Sequence, residues 1–170
     1  NLPIPVTSLT ITGTDFSPLV GQNTVAFTPS GTGTVTAATS TSLTVGDIRG
    51  LTPGALYAVV TTNSQNSGAP VQVGTVTVPA DSFLVTNTAD SGAGSLRHAI
   101  LSANSLAGTE TLTFSDGTAG TVDFTDATPE VITLSSQLTI SSDIIITGPG
   151  ADRLAVSGGN TTRVFALGES

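Results

Sequence analysis

The stretch ITLSSQLTISSDIIITGPGADRLAVSGGNTTRVF, residues 132–165, decides the fold. Apolar residues recur in it as pairs with one residue between: Ile132 and Leu134, Leu138 and Ile140, Ile144 and Ile146, Leu154 and Val156. A two-residue period within each pair marks strands. The pairs themselves recur. Leu112 and Phe114 stand twenty residues before Ile132 and Leu134, and Leu154 and Val156 follow twenty-two residues after those. A second series runs through Leu138 and Ile140, Ile144 and Ile146, and then Val164. A period near twenty predicts coils stacked along an axis. One coil cannot bury its inward face alone, so each needs a neighbour above and below. The pattern is still running at the last residues, which predicts either a longer parent chain or another molecule at that end.

Working outward, the composition suits strands. Of 170 residues, 38% are apolar, 4% aromatic and 9% charged, against roughly 25% charged in ordinary soluble domains. Thr, Ser, Gly and Val fill the difference, and these are residues of strands and tight turns. The net charge is −8, with no Lys and four Arg (Arg49, Arg97, Arg153, Arg163). Nucleic-acid binding needs clustered cations to displace condensed counterions, so that class is excluded. An anionic membrane surface is disfavoured for the same reason, and no apolar run reaches the roughly 20 residues of a spanning helix. With no Cys there is neither a disulfide nor a thiolate metal site. The Lys-free, Thr/Ser/Gly-rich make-up points to an extracellular protein. The chain starts at Asn1 with no charged, apolar leader, so a leader or upstream domain is expected to have been removed.

Residues 1–79 read as short strands at 6–12, 24–27, 34–37, 42–45, 55–61 and 71–78, punctuated by Gly31, Gly33, Pro53, Gly54, Gly68 and Pro70. Regular short strands of this kind predict a small sandwich. Gly13 is suited to a positive φ, Phe16 to plugging one end, and Pro53-Gly54 to the centre of a type II turn. The string Leu9-Thr10-Ile11-Thr12-Gly13-Thr14-Asp15-Phe16 resembles the opening of IPT/TIG domains. So do Asn23 to Phe27, Ser40 to Val45 and Leu51-Thr52-Pro53-Gly54, in the same order. The resemblance covers about 75 residues. It implies an Ig-like fold that acts as a spacer in surface proteins and enzymes, or as a DNA-binding module in some transcription factors. The missing cations argue against that last role.

The pattern changes near Pro79-Ala80-Asp81. Residues 83–87 read as a strand, and Leu96, Ala99, Ile100 and Ala103 have helical spacing. Ser95 is the expected N-cap of this one helix, about ten residues long, and Ala107-Gly108 its expected stop. The run Asp90-Ser91-Gly92-Ala93-Gly94-Ser95-Leu96-Arg97, followed by the strands around Leu112, Ile132, Leu138 and Ile144, resembles the start of secreted bacterial right-handed parallel β-helix (pectin-lyase-like) surface proteins. That resemblance covers residues 85–165 and implies that the helix caps the open end of the solenoid. Some β-helix relatives are polysaccharide lyases or hydrolases with catalytic residues on later coils.

Candidate chemistry is thin. His98 is the only histidine, with Ser95 three residues before it; helix packing outweighs a catalytic reading. Arg97 is expected to pair with Asp90 or bind loop carbonyls. Asp116, Asp123 and Asp126, with Glu130 nearby, are the calcium candidates, because calcium takes six to eight oxygens. They lie in residues 115–129, read as an exposed insertion, and they lack the EF-hand order. Asp15, Asp47, Asp143 and Asp152 read as turn residues. Paired carboxylates for glycosidic cleavage lack an aromatic platform, since there is no Trp and Tyr57 is the sole Tyr. The Gly-rich stretches lack the Lys and helix of a phosphate loop, and Asn160-Thr161-Thr162 is a formal glycosylation sequon.

The expectation is therefore an all-β chain: an Ig-like β-sandwich over 1–79, then the capped start of a right-handed parallel β-helix with one short helix over 80–170. It is read as a non-catalytic structural or adhesive module of a bacterial cell surface. No cofactor is expected, calcium at the three aspartates aside. Its partners are other protein chains, self included, and polysaccharide, met through an open end at residues 164–170. The competing reading is a fragment of a carbohydrate-active β-helix enzyme with its catalytic coils beyond residue 170.

Overall fold

The computed structural model describes residues 1–63, 66–118 and 121–168. The chain is mostly strand, with one α-helix. It forms two compact units, Asn1–Val78 with Ser105–Ala107, and Pro79–Asn104 with Gly108–Ser170.

In the first unit the strands are β1 (Leu2–Pro3), β2 (Ser8–Thr12), β3 (Asn23–Thr28), β4 (Thr32–Ala38), β5 (Ser42–Arg49), β6 (Gly54–Thr62), β7 (Asn66–Ser67) and β8 (Val71–Thr77). They form one curled sheet in the order β1-β8-β6-β3-β4-β5-β2, with β7 on β6. Every pairing is antiparallel except β1 with β8. Alternation explains the core: in β2 the hydroxyl residues Ser8, Thr10 and Thr12 face out while Leu9 and Ile11 are buried. Leu43, Val45 and Leu56 join them, each fully buried.

Two local readings change. The positive φ expected of Gly13 falls instead on Asp15, at 62°. Gly13 is small for a steric reason: a Cβ there would lie 2.6 Å from Phe16 Cζ, so the ring could not cross it. Asp47 is a strand residue inside β5, not a turn residue. Its φ of 48° accompanies a bulge, where the β4–β5 register shifts between Thr32 and Thr34.

The second unit contains β9 (Leu84–Val85), α1 (Leu96–Asn104), β10 (Thr109–Phe114), β11 (Glu130–Thr133), β12 (Leu138–Ile140), β13 (Asp143–Ile146), β14 (Leu154–Ser157) and β15 (Phe165–Leu167). Its sheets are three separate ladders: β13-β10-β9, β11-β14 and β12-β15. All are parallel. The chain visits the three in order through β10, β11 and β12, then visits them again in the same order through β13, β14 and β15.

The stacking partners therefore differ from the expected series. Leu112 pairs with Ile146, not with the Ile132 strand. Ile132 pairs with Val156 rather than Leu154, and Leu138 with Phe165. The repeat unit is three strands long. Leu112, Ile132 and Leu138 reach one core from three different ladders, so their matching patterns are those of neighbours around a ring. Asp143, expected in a turn, opens β13 opposite Thr109.

Leu96, Ala99, Ile100 and Ala103 of α1 are buried in that same core with Val85, Leu134 and Phe124. Residues 115–129 are not simply an exposed insertion, although 119 and 120 lie outside the described residues. Phe124 is fully buried and stands edge-on to Phe114, ring centroids 5.3 Å apart. Arg153 holds the same segment by donating from Nη1 to Thr125 O.

Candidate functional site

Two clusters stand out in the second unit, one polar and one apolar. The polar one surrounds Arg97. Its Nη2 lies 2.6 Å from Asp90 Oδ1 and donates to Ser136 O at 2.7 Å. Its Nε donates to Asp90 O and its Nη1 to Gln137 O. Ser135 Oγ donates to Asp90 Oδ2 at 2.5 Å. The guanidinium fork thus ties the loop before α1 to the corner between β11 and β12. The Arg97 hydrogen bond, then that of Ser135, holds the Asp90 carboxyl below the ordinary range.

Asn104, at the other end of α1, repeats the device. Its Nδ2 donates to Thr139 O, while its Oδ1 accepts from Ser141 N and Ser142 Oγ. Sequence reasoning passed over Asn104. The available signal was its spacing of seven from Arg97, two helical turns on the same face. The glycines of the loop serve backbone geometry. Gly94, at φ 76°, accepts at its carbonyl from Thr86 N and Asn87 N.

Replacing Arg97 with Ala should lower the melting temperature of the second unit by several degrees, and Lys should not restore it, because an ammonium cannot reproduce the fork. Asp90 has a depressed folded-state value, so its contribution is present above the unfolded carboxylate value of about 4. It is lost as pH falls through the lower folded value. Melts in acid should show this loss in the parent chain and a smaller one in the Arg97→Ala variant, where only the Ser135 bonds remain.

Ser95 caps the first turn of α1, with the His98 amide as one of its partners. Ser95 is fully buried, its Oγ donates to Gly92 O, and it accepts from the backbone N of His98. The aspartates each close a turn. Asp116 Oδ1 accepts from Thr118 N, Asp123 Oδ1 from Thr125 N and Oγ1, and Asp126 Oδ1 from Thr128 N. The Thr125 bonds hold the Asp123 carboxyl below its ordinary range. Asp116 and Asp123 share an antiparallel bridge. No group of three metal-ligating side chains forms among the described residues.

The apolar cluster lies on the second round of strands. Ile145 (53%), Phe165 (42%) and Leu167 (84%) are exposed. A cavity of about 410 Å³ opens at Phe165, lined also by Leu96, Phe114, Ile146, Leu154 and Val156, among others. No charged residue among the described residues lines it. The outer edges of β13, β14 and β15 have no strand partner among the described residues. Of the expected docking segment, residues 169 and 170 lie outside the described residues. No described helix is long and apolar enough to cross a membrane.

No protein-family model, curated protein or solved structure matches the chain.

Proposed function

We propose that this chain is a non-catalytic structural and adhesive module of an extracellular bacterial surface protein. In this reading the first unit is an IPT/TIG-type Ig-like spacer, and the second is the helix-capped start of a right-handed parallel β-helix. The observation that carries it is the twofold passage through three parallel ladders, with α1 packed into their core. Parallel ladders of this kind grow by adding another round of strands. The edges of β13, β14 and β15, around an uncharged apolar cavity, offer backbone groups and apolar surface to one. Another protein chain, first of all a second copy, supplies that cover. Among the described residues no acidic side chain lines that cavity, so two copies meet across it without facing carboxylates there.

Light scattering over a concentration series tests this. The chain should self-associate, and Phe165→Lys or Leu167→Lys should weaken association roughly tenfold, the worth of one buried apolar side chain. Both positions are exposed, so the fold should survive. A monodisperse monomer at high concentration, or association indifferent to both changes, sinks the reading.

A further inference from the structure

α1 ends at Asn104, short of the stop expected at Ala107-Gly108. Its apolar spacing runs on past that point: Leu106 follows Ala103 by three residues, as Ala99 follows Leu96. The side-chain pattern does not end the helix; a backbone pairing does. Leu106 forms an isolated parallel bridge with Leu51, in the turn between β5 and β6. Leu51 N donates to Ser105 O and Ala107 N donates to Leu51 O, each at 2.9 Å. Gly108, at φ 109°, then turns the chain into β10. Ser105–Ala107 accordingly belongs to the first unit, although α1 before it and β10 after it belong to the second. The chain passes from one unit to the other three times, after Val78, Asn104 and Ala107.

These residues complete the first unit at that turn. Leu51 is fully buried, and Ser105 and Leu106 are buried with it. A Cβ on Gly31 would lie 2.7 Å from Leu51 Cδ2, so the leucine packs against the main chain between β3 and β4. Ser30 holds the same turn: its Oγ donates to Gly50 O and lies 2.7 Å from Thr52 Oγ1. With residues 105–107 withdrawn, the Leu51 amide and carbonyl would lose these partners beside a buried side chain. An unmet backbone donor or acceptor in such a place costs as much as a lost hydrogen bond.

We propose that Ser105–Ala107 is a strap through which α1 governs the closure of the turn between β5 and β6. The residue before the strap is Asn104, which is fastened to Thr139 O, Ser141 N and Ser142 Oγ. That fastening fixes where the strap begins. If it is lost, a longer segment must be ordered before Ser105 and Ala107 can meet Leu51, and closure costs more entropy. The coupling is reciprocal: a strap that leaves Leu51 no longer restrains the last turn of α1. On this inference the first unit is a conditional element and not a self-contained spacer.

Amide exchange followed by NMR on the whole chain tests this. Asn104→Ala removes only bonds made within the second unit. It should nonetheless speed exchange of the Leu51 and Ala107 amides roughly tenfold, while the β3 amides keep their rates. Leu106→Ala acts from the other side. It should speed the Leu51 amide by roughly tenfold or more, and with it the amides of residues 101–104 in the last turn of α1. An Asn104→Ala variant whose Leu51 amide exchanges at the parent rate overturns the proposal. So does a uniform rise that includes β3, which would mean general destabilisation. If Leu106→Ala speeds Leu51 and leaves α1 untouched, the strap serves the first unit alone and the coupling is rejected. Should Leu106→Ala fail to fold, Asn104→Ala decides by itself.

Discussion

Phe124→Ala is expected to destabilise the second unit by about 3–5 kcal/mol, the usual range for deleting a buried phenylalanine. The ring is fully buried and stands edge-on to Phe114. Its backbone N donates to Ser115 O, and Val122 N donates to Thr86 O, so the segment is held to β10 and to the β9 strand end as well as packed. Removing the ring leaves a hole between that segment and the ladder core. A chemical-denaturation curve reports the loss directly, and Phe124→Leu should recover a good part of it. An Ala variant as stable as the parent would mean that residues 115–129 lie loosely outside the core after all.

Gly94→Ala should rank next. A Cβ at this position would overlap Thr86 Oγ1 and lie 2.8 Å from Asn87 Nδ2. The backbone is also left-handed there, at φ 76°. Strain and overlap together should cost about 3 kcal/mol or more. Gly92 supplies the control. It has φ 93° but nothing within 4 Å of its Cβ position, so Gly92→Ala meets backbone strain alone. The melting temperature of the Gly94 variant should fall well below that of the Gly92 variant. Exchange of the Thr86 and Asn87 amides, which donate to the Gly94 carbonyl, should accelerate most. Equal effects of the two changes would reject the overlap argument.

These two positions also show what a sequence discloses. Period-two pairs disclosed where the second unit has strands, because alternation is imposed locally by the pleat. The helical spacing of Leu96, Ala99, Ile100 and Ala103 disclosed α1 in the same way. Which strand stacks on which was not legible. Inward-facing pairs look alike whichever ladder they belong to, so the Leu112 strand could not be told from a partner of the Ile132 strand. Phe124 sits among Val122, Asp123, Thr125 and Asp126, a context that reads as a solvated loop until the ring is seen to be buried. The link between Arg97 and Asp90 was readable because the two opposite charges flank the short Gly-rich loop that leads into α1. Asn104 was not, because its partners are a backbone carbonyl and amide and a hydroxyl more than thirty residues away. Gly13 announced a constraint but not its kind; only the position of the Phe16 ring shows that it is one of space.

The fastening of α1 carries an evolutionary consequence. Arg97 and Asn104 grip the corners mostly by main-chain atoms, the carbonyls of Ser136, Gln137 and Thr139 and the amide of Ser141. Every amino acid has a carbonyl, so side chains at 136, 137 and 139 are free to drift through generations. Chain length at those corners is not, since one inserted residue would carry the acceptors out of reach. Natural variants should therefore accumulate substitutions there while gaining or losing residues elsewhere.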